Sequence, residues 1–193
     1  MKLSKKLVLL GACTPAIIWN GNRDLKDCWQ DCERGDWMLY LMKEGEMCDI
    51  QTLTLAKARC AELAKPYMEA TSLAALQGAF DFANGLISEE ELNVLADAAY
   101  TIARTAQAAG QYRAVAAVAA GYYAAATRYS YATATATAKY FGADNGKTWL
   151  KVLKQCADIC RETLPRPKIK GVRYSHFLNI FKNIIYAVFK LAL

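Results

Sequence analysis

The sequence holds one histidine, His176, in 193 residues. A single imidazole near the C-terminus excludes metal centres built from several histidines and weakens the case for a hydrolase triad. Nor is there a G-x-S-x-G elbow, a phosphate-cradling P-loop or a dinucleotide-binding glycine pattern. Carboxylates are scattered, with no pairing visible along the chain. Proline and glycine are also sparse, at 4 and 11, which favours long uninterrupted elements over the frequent turns of an all-β fold. With 54% hydrophobic residues the chain is long enough for one buried core and too short to demand two.

Acid is missing from two regions. All 18 acidic residues lie at or before Glu162, whereas six of the 24 Lys and Arg (Arg166, Lys168, Lys170, Arg173, Lys182 and Lys190) follow Pro165. Residues 1–165 are therefore balanced, and the net charge of +6 belongs to the C-terminal tail. The second acid-free region runs from Ala98 to Ala143. It is rich in alanine, with threonine, tyrosine and a few bulky aliphatics.

Seven cysteines are too few and too uneven for a small disulfide scaffold, and an odd count leaves one over, so reduced thiols are the simpler reading. The N-terminus imitates a lipoprotein signal, with Lys2, Lys5 and Lys6, an apolar run and a small residue before Cys13. That run is at the short end of the roughly 7–15 residues a signal core uses, so export is disfavoured and a cytoplasmic location expected.

Helix signals recur along the chain. Leu3 to Trp19 reads as a helix restarted at Pro15. Asp24 is placed to cap a short helix through Cys32, and Asp36 to cap the next, Trp37 to Lys43. From Asp49, the apolar residues Leu53, Ala56, Cys60, Leu63 and Ala64 recur mostly at three- and four-residue steps. Ser72 to Asn84 ends at Gly85, and Ser88 with Glu91 forms a capping box. The alanine-rich region reads as two long helices split near Gly110. Its Ala132-to-Ala138 alternation of Ala and Thr has a strand period, but alanine is depleted in sheets and no partner strand is visible. Asp144 to Leu164 is amphipathic and stops at Pro165. Tyr174 to Leu193 is apolar except for a narrow polar stripe. The expected fold is all-α: a compact Ala-rich multi-helix bundle over 1–165, followed by a basic amphipathic C-terminal helix over 166–193. Small side chains let helix axes approach at the near end of roughly 8–10 Å.

Three groups of residues carry the binding chemistry to be weighed. Cys28 with Cys32 and Cys156 with Cys160 are each four apart, so two one-faced pairs could meet as a zinc site. Buried thiols acting as small hydrophobes are the stronger reading, and no metal or other cofactor is expected. In the acid-free region Arg104, Arg113, Arg128 and Lys139 accompany Tyr112, Tyr122 and Tyr129, a combination suited to an anionic, ring-bearing ligand of nucleotide type. The alternative makes these tyrosines core and interface filler, with the bases paired to acids elsewhere. The tail offers Phe177, Phe181, Ile184 and Phe189, for docking on the body, for a homo-oligomer contact, or for a membrane surface.

Ala12-Cys13, Pro15 and Trp19, then Trp29-Gln30-Asp31-Cys32-Glu33-Arg34-Gly35-Asp36-Trp37-Met38-Leu39-Tyr40-Leu41, the Ala/Tyr-rich stretch, and Lys154-Gln155-Cys156-Ala157-Asp158-Ile159-Cys160-Arg161 carry a resemblance. From Leu7 to Pro165 the chain resembles a family of immunity proteins, small Ala-rich helical proteins assigned to bacterial toxin–immunity systems and also found in phage genomes. The block Cys32 to Leu39 is its specific part. The tail after Pro165 and the Thr- and Tyr-rich middle depart from it. The resemblance implies a cytoplasmic, non-enzymatic protein that neutralises a protein toxin or effector by binding it, with Cys13 a family feature instead of a lipid site. It brings no catalytic residues. Arg34 and Asp36 beside Trp37 are expected to form a buried ion pair that locks the N-terminal helices. Two other functions remain open: a phage counter-defence sponge for a nucleotide-type signal, and a membrane-surface protein led by the tail.

Overall fold

The computed structural model describes residues 3–110, 112–126, 130–142 and 146–168, with side chains described at all of these except 112–118, 130, 131, 140–142 and 146. Among them are ten α-helices and no strand. The first four are short: α1 (Leu3–Leu9), α2 (Thr14–Asn20), α3 (Leu25–Asp31) and α4 (Gly35–Glu44). Then come α5 (Ile50–Glu62), a 3-10 turn at Lys65–Tyr67, α6 (Ala70–Ala83), α7 (Glu89–Ala108), α8 (Tyr112–Ala125), α9 (Ser130–Gly142) and α10 (Gly146–Thr163).

Local chemistry sets most of the boundaries. Asp24 accepts from the Asp27 N–H at 2.8 Å, and Asp49 from the Thr52 N–H at 2.7 Å. The Ser88–Glu91 box closes in both directions, and Gly85 and Gly110 take the left-handed conformation just past α6 and α7. Such caps satisfy the backbone groups that a helix end leaves open. Asp36 does not act as a cap. The helix begins one residue earlier, at Gly35, and the Asp36 carboxylate turns to Arg34.

The alanine-rich region forms more helices than the two expected, because a break between Ala125 and Ser130 separates α8 from α9. Together they make the centre of the bundle: α8 packs on α5, α6, α7 and α9, and α9 on α4, α5, α8 and α10. The Ala–Thr alternation is helical and buried from Ala132 to Ala138 except for the half-buried Thr135. A buried hydroxyl needs an acceptor, and a helix supplies it. Thr137 donates to the Thr133 carbonyl, and Thr133 reaches across to the Tyr123 carbonyl, both at 2.9 Å. Small residues set the spacing. A Cβ on Gly121 would lie 2.7 Å from the Ser72 carbonyl oxygen, so α8 and α6 meet backbone to backbone.

Two cores flank this centre. One gathers Leu39, Met42, Leu53, Leu153 and neighbouring residues of α4, α5, α9 and α10, and the other joins α5 through α9 around Leu76, Phe82 and Leu92. The N-terminal helices rest on the first. Arg161 of α10 fastens them, donating to the Trp29 and Cys32 carbonyls at 3.2 and 2.8 Å and so closing the C-terminal end of α3. Among the described residues no helix is long and apolar enough to cross a membrane.

Candidate functional site

The Arg–Tyr set is brought together only in part. Tyr100 of α7 meets Tyr122 of α8 with ring centroids 5.2 Å apart, Tyr122 meets Tyr123 at 4.8 Å, and the Arg104 guanidinium stands 6.0 Å from the Tyr100 ring. Arg104 and Tyr100 are exposed, so this is a surface row and not an enclosed site. Lys139 is exposed on α9 and has no ring contact or ion pair with them. Tyr112 and Arg113 lie on α8 with side chains outside the described set, and Arg128 and Tyr129 lie outside the described residues altogether. So do Phe177, Phe181, Ile184 and Phe189 of the tail.

The two cysteine pairs go separate ways. On α3, the Cys28 thiol donates to Asn20 Oδ1 at 3.1 Å and the Cys32 thiol to the Arg34 carbonyl at 3.5 Å. On α10, Cys156 and Cys160 gather with Cys60 of α5, whose thiol donates to the Cys156 carbonyl at 3.7 Å, and the two neighbouring thiols, with burial, hold Cys60 well above its ordinary pKa. Burial also pushes Cys32 up to about 11. Among the described residues no group of three or more His, Cys, Asp or Glu is arranged to hold a metal ion. The thiols sit as small buried hydrophobes.

Concave space lies elsewhere, among α1 to α4. A cavity of about 450 Å³ is walled by Trp19, Trp29 and Trp37, with Leu3 and Leu7 of α1, Cys13 at the start of α2, and the Arg34–Asp36 pair. The pair is bidentate: Arg34 Nε donates to Asp36 Oδ1 at 2.9 Å and a terminal nitrogen to Oδ2 at 2.6 Å. The carboxylate raises the Arg34 pKa further above its already high value. Its guanidinium carbon also lies 4.4 Å from the Trp37 ring centroid and 5.1 Å from that of Trp149 on α10. Asp36 is buried and Arg34 partly exposed, and the pair lies within one turn; the contact that reaches another helix is the Arg34 cation, held between the indoles of Trp37 on α4 and Trp149 on α10. Trp19 and Trp37 meet edge to face at 5.9 Å, so all four tryptophans of the chain gather at one end of the bundle.

The chain matches no family model, no curated protein and no solved structure. Its function has to be argued from its own chemistry, and one further feature bears on that. Between Pro66 and Ala103 there are six acids (Glu69, Asp81, Glu89, Glu90, Glu91 and Asp97) and no Lys or Arg. This base-free stretch covers α6 and α7 as far as Ala103, and the acid-free region takes over within α7, from Ala98. At the α6–α7 corner Leu86 and Val94 are 72% and 69% exposed, and the charged residues around them, Glu89, Glu90 and Asp97, enter no salt bridge among the described residues. A count of bases by position, of the kind made for acids, reveals this corner in the sequence. The exposure of its two aliphatics required the fold.

Proposed function

We propose that the protein is a non-enzymatic binding protein that neutralises a protein toxin or effector by sequestration, and that it holds this target at the acidic α6–α7 corner. The separation of charge carries the reading. Asp81, Glu89, Glu90, Glu91 and Asp97, with no Lys or Arg between them, lie along the end of α6 and the first half of α7, around the exposed Leu86 and Val94. Such a corner steers a basic partner at long range, and its aliphatic pair offers anchors inside a charged rim. The backbone beneath is rigid, with α6 closely packed on α8 at Gly121, so little ordering is required on binding. The resemblance to immunity proteins supplies the class of target.

The test is co-expression with the toxic products of neighbouring genes, reading bacterial growth, followed by calorimetry on any rescued pair. Rescue is expected, with an affinity that falls as salt is raised. Replacing Glu89, Glu90 and Asp97 together by Lys should abolish rescue while helical content is kept. Glu91 is left alone because it closes the capping box. Full rescue by the triple variant would place the target on another surface.

The row of Tyr122, Tyr100 and Arg104 favours a second reading, a sponge for a nucleotide-type signal in phage counter-defence. Calorimetry against cyclic nucleotides tests it, and no heat of binding removes it.

A further inference from the structure

We infer that the cavity among α1 to α4 is a binding site for an uncharged aromatic small molecule. Its volume of about 450 Å³ falls within the range of roughly 300–1,000 Å³ typical of small-molecule sites. Three indoles form its walls, and the sulfur atoms of Cys13, Cys28 and Met38 complete a soft, polarisable lining. Such a surface favours a flat π-system, which gains ring-on-ring and sulfur-on-ring contacts that a saturated chain does not.

Electrostatics then decides the charge of the guest. Arg34 and Asp36 are the charged residues in the wall, and they neutralise each other in a bidentate pair. The other polar side chains are engaged as well: Asn20 accepts from the Cys28 thiol and donates to the Gly21 carbonyl, the Tyr40 hydroxyl donates to the Leu10 carbonyl at 2.6 Å, and Thr135 of α9 donates to the Ala132 carbonyl at 3.0 Å. The pair presents no net charge to the cavity, so an anion near the guanidinium also meets the Asp36 carboxylate, and a cation near the carboxylate also meets Arg34. Water against this mainly apolar lining finds few partners. A neutral ring gains the contacts of the walls without losing the hydration of a charge, and displaces poorly bound solvent. The site lies among the N-terminal helices and not at the α6–α7 corner, so binding here and capture of a basic effector there succeed or fail separately.

Two probes that share their rings test this with the full-length protein. N-phenyl-1-naphthylamine is neutral, and 8-anilinonaphthalene-1-sulfonate adds one sulfonate. The neutral probe is expected to bind one to one, quench the tryptophans and take up their excitation energy, while the sulfonate binds at least about tenfold more weakly. Alkylating Cys13, the exposed thiol in the cavity wall, with a bulky maleimide should weaken the neutral probe by at least about tenfold without any mutation. Ala16→Phe, which fills the space from the floor, should do the same where circular dichroism shows an unchanged fold. Equal affinity for the two probes would overturn the proposal, as would neutral-probe binding that survives Cys13 alkylation, or displacement of the neutral probe by dodecanol at equal concentration.

Discussion

Lys57 Nζ donates a 2.6 Å hydrogen bond to the carbonyl oxygen of Ala126, and both residues are buried. The contact joins the middle of α5 to the point where α8 has just ended. The last carbonyls of a helix lack partners within it and carry partial negative charge, so a cation there is favourably placed. The side chain thus closes α8 from a neighbouring helix, at the break that divides the alanine-rich region. Placing it there has a cost, since burial, helped by the charge of Lys43, lowers the Lys57 pKa from 10.5 to about 7.

That shift predicts a pH dependence of stability. Between pH 7 and 10.5 the unfolded chain keeps the proton that the folded chain has released, so stability rises with pH across this window, by up to about 1.4 kcal/mol per unit. Below pH 7 the amine is charged in both states, and the penalty for burying it is full and constant. Other groups titrate at the alkaline end, so the measurement is a comparison with Lys57→Met by urea unfolding from pH 7 to 9. The wild type should gain stability relative to the variant as pH rises; parallel profiles would show that Lys57 is not the group responsible.

Most of the helix boundaries were legible because their causes are local. Asp24, Asp49 and the Ser88–Glu91 box each act within one turn, and Gly85 and Gly110 have the positive φ that their positions past a helix end suggest. The α8–α9 break was not legible, because residues on both sides are good helix formers. Nothing local marks the contribution of Lys57, 69 positions away from its acceptor. The same limit hid the cavity. Trp19, Trp29 and Trp37 lie close in sequence, but no spacing rule says that three indoles will face one space, or that Trp149 will cover Arg34 from outside it. That Arg34, Asp36 and Trp37 lie together follows from their closeness in sequence; that they also wall a cavity is a property of how α1 to α4 assemble.

Gly35 and Gly78 offer a contrast in packing. A Cβ at Gly35 would lie 2.7 Å from the Cys156 carbonyl carbon and 2.8 Å from the Ala157 nitrogen, atoms of the α10 backbone that cannot turn aside. Gly35→Ala should therefore cost about 2–3 kcal/mol, as overpacking against fixed atoms does. At Gly78 the nearest atom is the tip of the Leu95 side chain, which can change rotamer. There the gain in helix propensity of about 1 kcal/mol offsets the crowding, and Gly78→Ala should be nearly neutral. Urea midpoints at unchanged m-value measure both. Similar losses at the two positions would argue against the close α4–α10 contact.

Arg34→Met should destabilise through what it leaves behind. The Asp36 side chain is 7% exposed and loses its bidentate partner, while Trp37 and Trp149 lose the cation between them. Breaking a fully buried pair costs about 3–5 kcal/mol, and the partial exposure of Arg34 brings the expected loss to about 2–3 kcal/mol. Adding Asp36→Leu should recover part of it, since the stranded charge is then gone. A double variant no more stable than Arg34→Met would assign the loss to the indole contacts instead.

Thiol chemistry tests the burial pattern residue by residue. Cys13 is exposed, Cys48 is half-buried, and Cys28, Cys32, Cys60, Cys156 and Cys160 are buried. Reaction requires thiolate as well as access. Burial and the neighbouring Asp49 push Cys48 up to about 11, so at pH 8 only about one molecule in a thousand carries that thiolate. A disulfide reagent such as dithionitrobenzoate should therefore titrate one thiol rapidly in the native protein and all seven in denaturant, with Cys13→Ser removing the rapid phase. The buried thiols should follow at rates set by local opening, slowest for Cys60, Cys156 and Cys160 where α5 packs on α10. A second rapid equivalent mapping to Cys156 or Cys160 would mean that the seam between α4, α5 and α10 is open in solution, and with it the wall that Trp149 closes over Arg34.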